Sequence, residues 1–443
     1  MKKIRVGIGY HLCETFDDGD AGIPPLRRLV QMINRQLGTT DSPPTDIAGP
    51  KVGFLFNHDE LHQVAHTAPV IPALQRMLPN LQIEIWTSND AQQEAVARQL
   101  SDELPRPIFH RLDTSPTMNL LEAAVLGLAP LGRIGRLARS AARLNELDAI
   151  IIPETTSALL KTRFGATYPR LIFLPHGAGD RSISVSPAIA DFDYLLLPGE
   201  KTRARMIELG LAAPDTCAVI GYPKFESRPM EEYQSLFDND RPTVLYNPHF
   251  DPILSSWHEM GFDVLDFFGR QDQFNLIFAP HVMLFRRAIQ ASVEHRRIRL
   301  RKAIPERYFS MPHIKIDLGS SSSVDMTYTS LSDIYLGDVS SQVYEFIKTP
   351  RPVIFLNSHN ADWKGNADYA FWLLGPVIDT VQDLGEALAN ALPFPEEVER
   401  RQIDAFERTF DVSTKMPSAD RAARAIIAFL SRDFAAMSCS GWS

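Results

Sequence analysis

Three histidines, His176, His249 and His281, each follow a short apolar run at the point where a predicted strand ends. One such histidine would more often pack or cap, but three at strand ends indicate the lining of a cleft. Imidazole titrates near neutral pH, so His176, beside the flexible Gly177, is the candidate base for an acceptor hydroxyl. No two of the three have the helical spacing of a zinc motif, so a metal site is the less favoured alternative.

A second candidate motif is the run Gly337-Asp338-Val339-Ser340-Ser341, which follows a predicted strand. Asp338 occupies the turn, and Ser340 is a natural N-cap for a helix that begins at Ser341. The free amides and the positive dipole end of such a helix suit a pyrophosphate. Glu345, one turn further on, could contact a ribose or polyol hydroxyl. A capping role alone would account for Asp338 and Ser340 equally well.

These motifs require a scaffold that brings strand ends together, and the hydrophobic pattern predicts one. Short apolar runs alternate with longer amphipathic runs from residue 51, and the alternation restarts after the polar segment 238–241, as in βαβ units. We therefore predict an α/β protein with two Rossmann-like doubly wound domains, 1–237 (with 1–50 as an extension) and 242–443 (with terminal helices). Ligands of such folds bind at the carboxyl ends of the strands, where the motifs lie.

Composition argues against several other classes of protein. The 443 residues include only three cysteines, too few and too scattered for a disulfide framework or a zinc site. Neither a signal peptide nor a membrane-spanning run is recognisable, which predicts a cytoplasmic protein. The net charge of −9 argues against nucleic acid as the partner.

The order of the motifs resembles the family of CDP-glycerol glycerophosphotransferases, which make teichoic-acid-type polymers. The resemblance covers about residues 145–360. It implies a glycosyltransferase-B (GT-B) fold, no metal or other cofactor, a nucleotide-activated donor, and a lipid-linked or polymeric acceptor. It also implies that His176 is the base and that a donor site includes His281, Asp338, Ser340 and Ser341. The motifs that carry it are His176-Gly177, Gly221-Tyr222-Pro223-Lys224, Tyr246-Asn247-Pro248-His249, Pro280-His281, Asp338-Val339-Ser340-Ser341 and Arg351-Pro352. Lys224, His249 and Glu345 are assigned to the same donor site.

Three positions depart from the family pattern. Ala178-Gly179 stands where the family has Thr-Pro, Phe250-Asp251 stands where it has an aromatic residue and Arg, and Val339 stands where it has Tyr. These departures leave the donor open between CDP-glycerol, CDP-ribitol and a nucleotide sugar. The alternatives are an inverting nucleotide-sugar glycosyltransferase, a UDP-sugar 2-epimerase, and an inactive GT-B scaffold in a polymer-assembly complex.

Two basic segments are candidates for contact with an anionic acceptor or with the cytoplasmic face of the plasma membrane. Arg133, Arg136, Arg139 and Arg143 have the spacing of one helical face, which suits an anionic surface. The segment 286–302, which includes Arg296 and Arg297, is strongly basic in an acidic chain. An ordinary solvated helix face is the competing interpretation of both segments.

Overall fold

The computed structural model describes residues 50–113, 117–118, 130–179, 185–227, 236–292 and 295–440. The predicted extension 1–50 therefore lies, apart from Pro50, outside the described residues. Two parallel sheets with helices on their faces form the body of the protein, which confirms the predicted fold class.

The first sheet has seven parallel strands in the order β3-β2-β1-β4-β5-β6-β7. Most of its strands are runs of Val, Ile, Leu and Phe buried on both faces, as expected for a sheet covered by helices on each side. The strands are β1 (Lys51–Phe56), β2 (Gln82–Thr87), β3 (Ile108–Arg111), β4 (Ala149–Ile152), β5 (Arg170–Phe173), β6 (Tyr194–Leu197) and β7 (Cys217–Val219).

The second sheet has six parallel strands in the order β12-β9-β8-β13-β14-β15, and a separate antiparallel pair is formed by β10 and β11. The strands are β8 (Thr243–Asn247), β9 (Asn275–Phe278), β10 (Ile289–Ser292), β11 (Arg297–Leu300), β12 (Ile314–Ile316), β13 (Ile334–Gly337), β14 (Val353–Leu356) and β15 (Val377–Ile378). The basic segment 286–302 therefore contains a hairpin, so the solvated-helix interpretation of it is wrong.

The described α-helices are amphipathic connectors between these strands. They are α1 (Val64–Thr67), α2 (Val70–Met77), α3 (Asp90–Gln99), α4 (Leu131–Leu144), α5 (Leu159–Thr162), α6 (Glu200–Glu208), α7 (Ser256–Glu259), α8 (Gly261–Gly269), α9 (Thr327–Leu331), α10 (Gln342–Phe346), α11 (Leu384–Ala391), α12 (Glu396–Thr409) and α13 (Ser418–Ser440). The sequence predicts one helix over 64–77, but the structure divides it, because Pro69 and Pro72 lack the N–H groups that a continuous helix would use. No described helix is long and apolar enough to cross a membrane.

The last helix returns to the first domain, although the sequence assigns it to the second. Ala422, Ala423, Ile426 and Phe429 belong to the same buried cluster as strands β1 and β2. The ring of Phe429 stacks on Tyr194 of β6 at 4.4 Å. Burial of this apolar stripe is the reason for the crossing, since the helix would otherwise expose it to water.

Each sheet reverses its strand order at one place, and a ligand crevice forms there in folds of this type. In the first sheet the reversal lies between β1 and β4, and in the second it lies between β8 and β13. The loops that leave these four strands therefore face one another across the two domains. The residues described next lie in these loops and in the loops that leave the adjacent strands β5 and β9.

Candidate active site

Six histidine rings meet at the carboxyl ends of the strands of both domains. His62 is central: its ring centroid lies 5.1 Å from that of His58, 5.2 Å from that of His176 and 6.2 Å from that of His281. His66 lies 6.4 Å from His176, and His249 lies 5.9 Å from His281. All three histidines predicted from the sequence, His176, His249 and His281, are brought together in this cluster.

The cluster also contains His58, His62 and His66, which the sequence analysis missed. They occur in the segment that leaves β1, at intervals of four residues, and this spacing is the signal that could have found them. A helical stretch places such residues on one side, so all three can face the same cleft. The Nδ1 atoms of His62 and His66 are buried, and no hydrogen bond to them is made within the described part of the chain.

His176 is held in the tautomer that a general base requires. Its Nδ1 lies 2.5 Å from the carbonyl oxygen of Pro153. A carbonyl only accepts, so Nδ1 carries the proton and Nε2 keeps its lone pair in the neutral ring. Burial lowers the pKa of His176, while the bond to Pro153 and the charge of Glu154 oppose that shift. The ring is therefore neutral at pH 7 and able to accept a proton.

His249 and His281 are held in the opposite tautomer. The backbone N–H of Asp251 donates to Nδ1 of His249 at 3.1 Å, and that of Met283 donates to Nδ1 of His281 at 3.3 Å. In the neutral rings the proton is then on Nε2, which makes each of them an N–H donor. Burial lowers the pKa of His281 to about 4. The second domain thus presents hydrogen-bond donors where the first presents an acceptor.

Burial of several neutral histidines makes stability depend on pH. We expect the free energy of unfolding to fall as the pH is lowered from about 6.5 to about 4. Burial lowers the pKa of His58 to about 3 and that of His281 to about 4, so the unfolded chain binds more protons than the folded one in this window. Stability from these rings is present above pH 6.5 and is lost as the pH falls toward the folded pKa values. Urea unfolding across the window should give a shallower pH slope for His281→Gln than for the unchanged protein; equal slopes would contradict this.

The carboxylate of Asp338 is turned into the protein and holds the loop that follows β8. It accepts hydrogen bonds from the backbone N–H of His249 (2.9 Å), from the N–H and hydroxyl of Ser256 (2.6 and 2.8 Å) and from the N–H of Val339 (2.6 Å). Burial raises its pKa to about 6, although these hydrogen bonds oppose the shift. Asp338 thereby fixes the position of His249.

The turn after Asp338 differs by one residue from the prediction. The helix α10 begins at Gln342, and the hydroxyl of Ser340 accepts from the N–H of Gln342 at 3.4 Å. Ser341 is exposed and faces the glycine loop that follows His176: a Cβ atom on Gly179 would lie 3.2 Å from that of Ser341. The His176 loop and the Ser341 turn are therefore adjacent, one from each domain.

Lys224 and Glu345 form an ion pair between the two domains. The Lys224 ammonium lies 2.8 and 2.7 Å from the two carboxylate oxygens of Glu345, and the hydroxyl of Tyr222 donates to the same carboxylate at 3.2 Å. Both charged side chains are buried. The ring of Tyr222 packs 5.0 Å from that of His66, so this pair adjoins the histidine cluster.

The four arginines of α4 do not form one exposed face. Arg136 is buried and binds Asn57 (3.0 Å) and Asp59 (2.8 Å), and Arg133 lies 3.9 Å from Glu154 behind His176. Arg139 and Arg143 are exposed, and Arg143 covers the ring of Trp86. The predicted basic face is therefore wrong as a single surface, because two of its members support the cleft.

Arg296 and Arg297 lie at the exposed end of the β10–β11 hairpin, away from the histidine rings. Among the described residues, no group of three or more His, Cys, Asp and Glu side chains has the arrangement of a metal site.

Two facing doubly wound sheets with a cleft at their switch points have the glycosyltransferase-B fold. The wall teichoic acid polymerase TagF is 14% identical in sequence, with a TM-score of 0.56 over 93% of this chain and 95% of that chain. The UDP-GlcNAc 2-epimerase of Neisseria meningitidis, bound to UDP-GlcNAc, is 14% identical, with a TM-score of 0.57 over 86% of this chain and 100% of that chain. The S. aureus MnaA–UDP complex is 14% identical, with a TM-score of 0.55 over 86% of this chain and 97% of that chain. The sequence matches no family model and no curated protein.

Proposed function

We propose that the protein transfers a polyol phosphate, such as glycerol phosphate, from a CDP-activated donor to a hydroxyl of a cell-surface polymer or lipid-linked acceptor. The observation that carries the proposal is the division of tautomers across the cleft. One domain holds a histidine with a free lone pair on Nε2, and the other holds two histidines that carry the proton there. A transferase needs this combination, since the acceptor must lose a proton while the donor phosphates accept hydrogen bonds.

In the proposed reaction, the acceptor oxygen attacks the phosphorus that bears the polyol. A new P–O bond forms, and Nε2 of His176 takes the hydroxyl proton. The bridging P–O bond to the nucleotide phosphate breaks, and its electron pair leaves with CMP. The N–H groups of His249 and His281 would stabilise the charge that develops on the phosphate oxygens. Neutral donors in a buried cleft suit this role, because they are held in position before the reaction begins.

The remaining residues predicted for the donor site divide into two groups. We propose that the hydroxyls of Ser340 and Ser341, in the turn next to the His176 loop, contact a donor phosphate. The charged groups of Asp338, Lys224 and Glu345 have their hydrogen-bond partners inside the protein. These residues therefore support the donor site from within the protein. We propose that Asp338 orients His249 and that the Lys224–Glu345 pair fixes the relation of the two domains.

The carboxylates near the histidines favour transfer over epimerisation. Asp59 binds Arg136, Glu60 binds Arg286, and Glu154 accepts from the N–H groups of Thr156 and Ser157. An epimerase needs carboxylates that can exchange protons with the sugar, whereas two of these are paired with arginine and the third accepts backbone hydrogen bonds. Their main effect is to position the loops that carry His58 and His176.

A ligand screen tests the proposed donor. Thermal unfolding with CDP-glycerol, CDP-ribitol, CMP, UDP and UDP-GlcNAc should show the greatest stabilisation by a cytidine ligand, because binding to the folded state alone raises its stability. At a ligand concentration 100 times its Kd the gain is about 2.7 kcal/mol. His281→Gln should reduce the shift. His313→Gln is the matched control, because His313 binds the carbonyl of Phe268 at the opposite end of the second sheet.

The same screen separates the alternatives. Greater stabilisation by UDP or UDP-GlcNAc would contradict the cytidine donor and support a sugar transferase or epimerase. Binding of a cytidine ligand without release of CMP in the presence of any acceptor would support an inactive scaffold instead.

A further inference from the structure

The β10–β11 hairpin turns its apolar side chains toward solvent, unlike an ordinary surface hairpin. Ile289 pairs with Leu300 and Ala291 pairs with Ile298, so these four side chains lie on one face. That face points to solvent: Ile289 is 42% exposed, Ile298 61% and Leu300 72%. A soluble hairpin normally turns its apolar face inward, so this face is available to something other than the core.

The other face is polar and anchors the hairpin to the second domain. The side-chain Oε1 of Gln290 accepts from Nε2 of His258 at 2.9 Å, and the side-chain amide of Gln290 donates to the backbone carbonyl of Leu284. Arg299 forms an ion pair with Glu259 on α7. These bonds attach the hairpin to the second domain through its polar face. The apolar face therefore contributes little to the stability of the fold.

The hairpin lies within the segment 286–302, which is strongly basic in an acidic protein. Residues 286–302 contain seven arginine or lysine residues and one acidic residue, whereas the whole chain has a net charge of −9. Arg296, Arg297 and Lys302 are exposed beside the apolar face. Two copies of the chain that paired through this face would bring their positive charges together, which disfavours a dimer as the occupant.

The base of the hairpin adjoins a cavity that reaches the loop between His58 and His62. A cavity of about 550 Å³ is lined by Arg286, Arg301, Phe309 and Leu318 of the second domain and by Glu60 of the first. Arg286 forms an ion pair with Glu60, in the loop that carries His58 and His62. The exposed Phe309 extends the apolar surface toward this opening.

We propose that the β10–β11 hairpin docks the protein on an anionic lipid surface. Ile289, Ile298 and Leu300 would enter the interfacial region, and the arginines at the ends of the hairpin would bind lipid phosphates. An acceptor anchored in the same surface would then reach the histidines through the cavity beside Arg286. Docking does not depend on the identity of the donor.

Sedimentation with vesicles tests this proposal on the full chain. The protein should bind vesicles of phosphatidylcholine mixed with phosphatidylglycerol, bind phosphatidylcholine alone much more weakly, and lose binding as salt is raised. Ile298→Ser with Leu300→Ser should reduce binding to the mixed vesicles by about tenfold or more, because two apolar side chains no longer leave water. Arg296→Gln with Arg297→Gln should reduce it several-fold. Leu209→Ser, at an exposed leucine of the first domain, should not change it.

Three outcomes would overturn the proposal. The unchanged protein could fail to bind the mixed vesicles, which would also be the result if another part of the chain covers the hairpin. The Ile298 and Leu300 double variant could bind as well as the unchanged protein while its thermal unfolding is unaltered. Polyphosphate in solution could bind as tightly as the vesicles and be insensitive to that variant, which would indicate a polyanion site. Each result leaves the donor screen unaffected, so the two proposals fail separately.

Discussion

His176→Ala is expected to lower turnover of the donor by about 10²- to 10⁴-fold, the range associated with loss of a general base. The variant removes the one ring in the cleft whose Nδ1 bond to Pro153 leaves Nε2 unprotonated. Donor affinity should change little, because His249 and His281 of the second domain are proposed to hold the donor phosphates. Release of CMP from CDP-glycerol in the presence of an acceptor measures turnover, and calorimetry measures affinity.

The control for this prediction is another histidine variant that leaves the cluster intact. His313→Gln should keep normal turnover, since its ring binds a backbone carbonyl remote from the cleft. Normal turnover in His176→Ala would show that His176 is not the base. His62 would then be the next candidate, because its ring centroid lies 5.2 Å from that of His176.

Lys224→Met is expected to lower the free energy of unfolding at pH 7 by about 3 to 5 kcal/mol, because it leaves a buried carboxylate without its charge partner. Within the described part of the chain, the hydroxyl of Tyr222 would be the remaining donor to the Glu345 carboxylate. Denaturant unfolding measures the loss. The double variant Lys224→Met with Glu345→Leu should recover most of it, because neither charge is then buried.

An exposed ion pair supplies the matched control. Arg203 pairs with Glu200 on α6 at 2.9 Å, and Arg203→Met should lower the free energy of unfolding by less than about 1 kcal/mol, as is usual for surface pairs. If Lys224→Met instead weakens donor binding while stability is unchanged, Lys224 contacts the donor directly. In that case the interdomain role proposed for the pair is wrong.

The sequence was sufficient to predict the fold and three residues of the histidine cluster. Strands that are buried on both faces read as continuous apolar runs, so β4, β5, β8 and β14 could be located without coordinates. Turn-forming residues after these runs also indicated that His176, His249 and His281 lie at strand ends. Because parallel strands share one carboxyl edge, this local information was enough to predict a common cleft.

Short or exposed elements were harder to predict. The strand β3 is partly exposed and lacks a strong apolar run, and β15 has only two residues. The hairpin was ambiguous because its apolar residues face solvent, which reverses the pattern from which a strand is normally recognised.

Residue pairing across the chain was decided by tertiary structure alone. Lys224 and Glu345 are 121 positions apart, and no local pattern indicates that each satisfies the other. Arg136 has the spacing of a surface arginine but is buried against Asp59. His62, after β1, lies beside His176, after β5, because β4 pairs with both of these strands. The sequence determined which side chains stand at the ends of strands, since that depends on local hydrophobic pattern. The order of the strands and the closure of the two domains decided which of them meet, since that depends on contacts between segments far apart in the chain.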